Sequence, residues 1–153
     1  MQHLTFNKII ASLILCGAFI LMNGCTEKED NIDRVPQIAF VEMNPETATQ
    51  FEDSIIIRVS YTDNDGDLGH ENPDSLSVFV LDNRLTTADR YYLSPLTPNG
   101  EELKIKGVFR IKIANTFLIG NGGEEQTYYT IWLKDRAGNK SNSILTSTLT
   151  IKP

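Results

Sequence analysis

Gln126-Thr-Tyr-Tyr-Thr-Ile-Trp-Leu-Lys-Asp135-Arg-Ala-Gly-Asn139-Lys-Ser141 is the stretch whose reading decides the fold. Gln126 to Lys134 reads as one strand, with Tyr129, Ile131 and Leu133 on one side, because strand side chains alternate with period two. Asp135-Arg136-Ala137-Gly138-Asn139 then supplies turn formers that end the run. Trp132 is out of phase with Ile131 and Leu133, so it is expected to face outward with Tyr128. An exposed indole beside a tyrosine suits stacking on a sugar ring or a partner protein. The alternative is packing beneath a neighbouring loop or edge strand. Working outward, Ser54 to Thr62 alternates in the same way, with Ile55, Ile57, Val59 and Tyr61 on one face and Ile56 as the exception. Ile38 and Phe40 begin a first strand, and Leu76, Val78 and Val80 mark another that ends at Asp82-Asn83.

The remaining segments are shorter. Pro45 and Glu46 to Glu52 read as a polar connection, Asp63 to Asp74 as a loop, and Tyr91-Tyr92-Leu93 as a short edge strand. Leu103, Ile105, Phe109, Ile111 and Ile113 alternate around Gly107, which is either a bulge in one bent strand or a break between two. Leu145, Leu149 and Ile151 close the chain in a final strand. No helical period appears after residue 25. Seven or so short strands separated by turn signals predict an all-β fold, a single antiparallel β-sandwich over residues 36–153.

The stretch from Tyr129 to Ser141 resembles the penultimate strand and turn of immunoglobulin-like and fibronectin type III-like domains of bacterial surface proteins. The resemblance implies a tyrosine-corner role for Tyr129. It also implies that the B–C loop, carrying Asp63, Asp65 and Asp67, meets the F–G turn, carrying Asp135 and Asn139, at one end of the sandwich, with Asp33 near.

At the other end of the sequence, Lys8 precedes a 14-residue apolar run, Ile9 to Met22, and then Asn23-Gly24-Cys25. That is the pattern of a secretory signal, expected to be helical, and it is short of the ~20 apolar residues that span a bilayer. Leu21 to Cys25 resembles the lipobox of bacterial lipoproteins. The resemblance implies removal of residues 1–24, acylation of Cys25 and attachment to a lipid bilayer. Residues 25–35 then read as an acidic, flexible tether. Its Lys28-Glu29-Asp30 resembles a short acidic export signal of Gram-negative surface lipoproteins, so the outer membrane is the expected location, facing either the surface or the periplasm.

Composition narrows the function. The whole chain carries 14 basic and 20 acidic residues. An acidic balance argues against nucleic acid, whose phosphates require a basic patch. On the lipobox resemblance Cys16 and His3 leave with the signal and Cys25 becomes a thioether, so no thiol would remain and His70 would be the one imidazole. No Gly-x-Ser-x-Gly elbow and no phosphate-cradling loop are present. These absences favour a non-enzymatic envelope module that binds an unknown protein or glycan. A structural subunit of an envelope complex is the nearest alternative, and a carboxylate- and metal-dependent hydrolase the more distant one. Glu101-Glu102 and Glu124-Glu125 read as solvated loop charge.

The chemistry is concentrated in Tyr61-Thr-Asp63-Asn-Asp65-Gly-Asp67-Leu-Gly69. Carboxylates at i, i+2 and i+4 in a turning loop aim hard oxygens at one point, and calcium takes roughly six to eight such ligands. The run resembles the opening of an EF-hand loop with Asp74 twelfth, but Leu68 stands where that loop needs glycine and no helices flank it. The expected ligand set is Asp63, Asp65, Asp67 and Asp135 around a structural calcium. The competing reading is a turn whose side chains cap backbone N–H groups.

Overall fold

A computed structural model describes residues 33–98 and 101–153 of the chain. The signal segment, Cys25 and the tether as far as residue 32 lie outside the described residues, as do Asn99 and Gly100. Every regular element described is a strand, and no helix long and apolar enough to cross a membrane occurs among them. The strands are β1 (Gln37–Asn44), β2 (Thr47–Thr49), β3 (Ile55–Asp63), β4 (Leu76–Asp82), β5 (Asp89–Tyr92), β6 (Ile105–Ile113), β7 (Glu125–Thr127), β8 (Tyr129–Leu133), β9 (Ile144–Leu145) and β10 (Leu149–Lys152). They form three sheets, β1-β3-β6, β5-β4-β8-β9 and β2-β10-β7. Pairing is antiparallel except between β10 and β2, which run parallel.

Inward rows of β-branched and apolar residues hold these sheets around one core. Ile55, Ile57 and Val59 of β3 are fully buried. Across from them on β6 stand Ile113, Ile111 and Phe109. Val78 and Val80 of β4 face Leu133 and Ile131 of β8 in the same manner. Ala48, Leu149 and Ile151 bring the third sheet into the same cluster. Each such aliphatic side chain contributes ~1.5–3 kcal/mol by leaving water. In β1 the register shifts between Phe40 and Glu42. That bulge changes the parity of the strand, so Met43, not Glu42, joins Ile38 in the core.

Gly107 is neither bulge nor break. The β3–β6 register runs without a shift from Ile55↔Ile113 to Asp63↔Ile105, and Gly107 lies opposite Tyr61. A Cβ there would come within 2.7 Å of the Tyr61 hydroxyl, so the glycine makes room for that ring.

Three other expectations are corrected. The polar connection after Pro45 contains β2, whose Ala48 is 1% exposed. The run from Gln126 to Lys134 is two strands, because the chain changes sheets at Tyr128: β7 pairs with β10 and β8 with β4. Asn83 bridges the change, its backbone N–H donating to the Tyr128 carbonyl and its side-chain oxygen accepting the Tyr128 N–H, both at 3.1 Å. The final run splits likewise into β9 and β10 around Thr146. The Thr146 hydroxyl accepts the Tyr129 N–H at 3.0 Å.

Candidate metal centre

The acidic loop begins as a continuation of the core. Asp63 ends β3 in the inward row of Ile55, Ile57, Val59 and Tyr61, and period two therefore turns its carboxylate inward. It is 1% exposed. Asp135 follows the row of Tyr129, Ile131 and Leu133 and is equally buried. Asp65 is buried too, and Leu68, fully buried, anchors the loop to the core. Gly66 has a φ of 71°, and a Cβ on it would sit 2.5 Å from the Leu103 carbonyl oxygen. The loop can make this turn, and the 101–103 segment can press against it, only with glycine at that point.

Asp63, Asp65 and Asp67 each offer an oxygen, and these oxygens lie within 4.8 Å of one another. Four buried carboxylate oxygens, Asp63 Oδ1 and Oδ2, Asp65 Oδ1 and Asp67 Oδ1, have no hydrogen-bond partner. Asp67 Oδ2 is held by the Ala137 N–H at 3.0 Å. Burial first, then the nearby carboxyl and charge of Asp65 and the charge of Asp67, push the Asp63 carboxyl up to about 6. Asp67 is raised by burial and then by the charge of Asp135.

Asp135 is close enough for its charge to be felt at Asp67, yet it stands outside the three-carboxylate group. Its Oδ1 accepts the Asn139 N–H at 2.7 Å and its Oδ2 accepts the Asn139 side-chain amide at 2.9 Å. These bonds make it the organiser of the turn between β8 and β9. That turn does meet the acidic loop. The Arg136 N–H donates to the Asp67 carbonyl at 3.1 Å. The Arg136 guanidinium reaches the carbonyls of Gly69 at 3.1 Å and Gly66 at 3.3 Å. The Thr97 hydroxyl also donates to the Gly66 carbonyl.

A cleft of about 320 Å³ opens beside the group, lined by Arg34, Asp65, Asp67, Glu101, Glu102, Arg136 and Ala137. Arg136, Thr97 and Glu101-Glu102 were not singled out as site residues in the sequence. Only position in space joins them to residues 63–67. Asp74 and His70 contribute no oxygen or nitrogen to the cluster. The residues present fit a hard divalent cation: clustered carboxylate oxygens, buried and unsatisfied, are costly without a compensating charge.

A second acidic group, buried Asp82 with half-buried Glu125, differs. Asp82 ends β4, and Arg84 grips it with Nε at 3.0 Å and a terminal nitrogen at 2.7 Å. Thr127 adds its hydroxyl at 2.6 Å. The other Arg84 terminal nitrogen reaches Glu125 at 2.6 Å, and Glu125 accepts the Gly120 N–H at 2.6 Å and the Ile119 N–H at 3.0 Å. Glu125, read from the sequence as solvated charge, is thus a network member within β7. Burial opposes the Asp82 carboxylate, but the bonds from Arg84 and Thr127 outweigh it and hold its pKa below the usual range.

Trp132 faces outward as expected, but it is half-buried rather than freely exposed. Its ring stacks on Phe79, directly across the sheet, with centroids 5.3 Å apart and planes 5° from parallel. Lys140 Nζ lies 4.7 Å from its ring centroid. Tyr128 stands at the sheet change, 39% exposed. The stacking partners of the indole come from its own chain, which leaves less of the ring for a ligand. Comparison of the chain with protein-family models, with curated proteins and with solved structures returned no match in any of the three.

Proposed function

We propose that the chain is a lipid-anchored, non-enzymatic module of the bacterial envelope whose binding end is stiffened by a divalent cation. The observation that carries the cation is the set of four buried, unpartnered oxygens on Asp63, Asp65 and Asp67. Calcium fits best, because it tolerates irregular oxygen shells of roughly six to eight ligands, whereas magnesium demands a strict octahedron. The three carboxylates would supply the protein's share and water or neighbouring oxygens the remainder. The ion would offset the repulsion in the loop and fix the contact between residues 63–69 and 134–139.

The strand order supports an immunoglobulin-like or fibronectin type III-like sandwich. In that lettering β1-β3-β6 reads A-B-E and β5-β4-β8-β9 reads C′-C-F-G. The acidic loop is then B–C and the Asp135 turn F–G. Partner binding, protein or glycan, is assigned to this module because, among the described residues, the cleft is lined by carboxylates, two arginines and an alanine, with no hydroxyl, thiol or imidazole. Attachment through acylated Cys25, in the outer membrane, rests on the sequence pattern at residues 8–25. An unmodified amino terminus at any position other than Cys25, read by mass spectrometry of the cell-derived protein, overturns the anchor.

Thermal unfolding of the full chain in mild detergent, with calcium and with chelator, tests the cation. Binding to the folded state alone stabilises by RT ln(1 + [L]/Kd), ~2.7 kcal/mol at a hundredfold excess over Kd. Superimposable curves at millimolar calcium would remove the ion from the proposal.

A further inference from the structure

The acidic loop also touches the place where the chain enters the folded body. Asn64, between Asp63 and Asp65, donates its side-chain N–H to the Asp33 carbonyl at 2.7 Å. The Asp33 carboxylate accepts the Val35 N–H at 3.1 Å, which rounds residues 33–35 into a short turn. Arg34 lines the cleft that contains Asp65 and Asp67, and its guanidinium lies 3.5 Å from Glu102. Firm anchoring begins at Pro36, which is buried, and Gln37, which pairs with Thr62, and it continues at Ile38, whose N–H and carbonyl both bond to the Asn142 side chain at 2.8 Å. Ahead of Pro36, the described part of the stem, residues 33–35, is held to the loop end by one exposed amide and one exposed ion pair. Contacts of that kind contribute little when their partners are free to move.

The geometry points to a cation-locked stem: a divalent ion on Asp63, Asp65 and Asp67 holds residues 33–35 against the body through Asn64 and Arg34. This rests on the cation reading above. Asn64 is flanked on both sides by ligands, so an ion that fixes their carboxylates fixes the backbone that aims the Asn64 amide. The bond to Asp33 is then made from a preorganised donor, at a smaller entropic cost. The ion also engages Asp65 and Asp67, which leaves Glu101 and Glu102 as the carboxylates in the cleft free to pair with Arg34. Without the ion, all four compete for the same guanidinium while loop repulsion loosens residues 63–67. The entry point of the chain is therefore stiff with the ion bound and loose without it.

Hydrogen–deuterium exchange on the full chain in mild detergent, in millimolar calcium chloride or in EGTA, tests this beside the thermal unfolding measurement. The expected result is exchange at the Val35 amide about tenfold slower in calcium. Asn64→Ala keeps all three carboxylates, so it should keep the calcium-induced rise in Tm and lose the slowing at Val35. A rise in Tm with Val35 exchange unchanged in the wild-type chain overturns the stem and leaves the cation standing. No rise in Tm overturns both. Slowing that persists undiminished in Asn64→Ala overturns the route through Asn64.

Discussion

The chain buries carboxylates at the two ends of β4 and treats them in opposite ways. Past its far end, Asp82 and Glu125 are surrounded by donors: a guanidinium, a hydroxyl and backbone N–H groups. Before its near end, Asp63, Asp65 and Asp67 crowd together with four oxygens bare. Asp63 and Asp82 are placed by the same rule, an inward row of strand residues that runs one step past the apolar ones. The difference lies in what the topology brings opposite. Thr127 and Glu125 from β7 complete one group from within the chain. The other receives backbone contacts from Arg136 and Ala137, but no cationic side chain is bonded to its bare oxygens. A closed network of protein groups can serve structure alone. An open one can be completed by protons or, as proposed above, by a cation.

The largest effect is expected where the closed network is cut. Arg84→Met removes the charge that pairs with Asp82 and Glu125 while keeping much of the volume. Leaving the buried Asp82 carboxylate without its cationic partner costs ~3–5 kcal/mol. Urea unfolding should show that loss with or without calcium. A loss that calcium abolished would mean the two ends are not independent.

The next effect is a difference in pH dependence. The Asp63 carboxyl is raised in the folded state to about 6. Without a cation, the folded chain therefore holds a proton that the unfolded chain has released, and the group's contribution is full below the ordinary aspartate range. It is lost as pH rises through about 6. The Asp82 carboxyl is depressed, so its contribution is present above the ordinary range and lost as pH falls through its lowered value. In chelator, stability should decline between about pH 4 and 6 as pH rises, the reverse of ordinary acid denaturation. Calcium should reverse that slope, because the ion takes the deprotonated form. Unfolding midpoints collected across this range in EGTA and in calcium would show parallel profiles if the carboxylates hold no ion.

A smaller effect separates repulsion from ligation. Asp63→Asn removes one charge and adds an amide able to donate to Asp65. In chelator it should stabilise the chain by ~1 kcal/mol, the net value of a typical hydrogen bond. In calcium it should destabilise relative to the wild type, because a ligand is gone. A variant destabilised in both conditions would mean that the Asp63 carboxylate has a partner within the chain.

Much of this arrangement can be read along the chain, and the limits are physical. The strands β1, β3, β4, β6 and β8 follow from local alternation, because one buried face leaves a period-two mark. The same mark, carried two residues past Tyr61 and Leu133, would also have placed Asp63 and Asp135 inside. The sheet changes at Tyr128 and Thr146 are invisible to it, since Thr127, Tyr129 and Ile131 are buried in unbroken phase. Alternation says which face a residue takes, not which sheet its neighbours belong to. Glu125 was misread for a related reason: a charged residue beside Gly-rich sequence looks solvated until Arg84, 41 positions away, is brought against it. Arg136, Thr97 and the Asp33 carbonyl reach the acidic loop through long-range closure in the same way. The clustering of Asp63, Asp65 and Asp67 was legible because the three lie within five residues of one another.

Asp67 stands between the two regimes and gives the finest test of the contrast. One of its oxygens is satisfied by the Ala137 N–H and the other is bare. Asp67→Asn can present its carbonyl oxygen to Ala137 and its amide to the remaining carboxylates, so the loop-to-turn contact survives. The charge removed is less buried than that of Asp63, and solvent screens part of its repulsion. In chelator the variant should therefore differ from the wild type by only ~0.5 kcal/mol, the range of a screened surface interaction. Its response to calcium should nevertheless be weakened, since a hard anionic oxygen has become a neutral amide. The split between a small change in chelator and a larger one in calcium is what an ion ligand produces and a turn cap does not. Equal changes in both conditions, read from paired unfolding curves, would assign Asp67 to the turn and leave two carboxylates, too few to hold the ion.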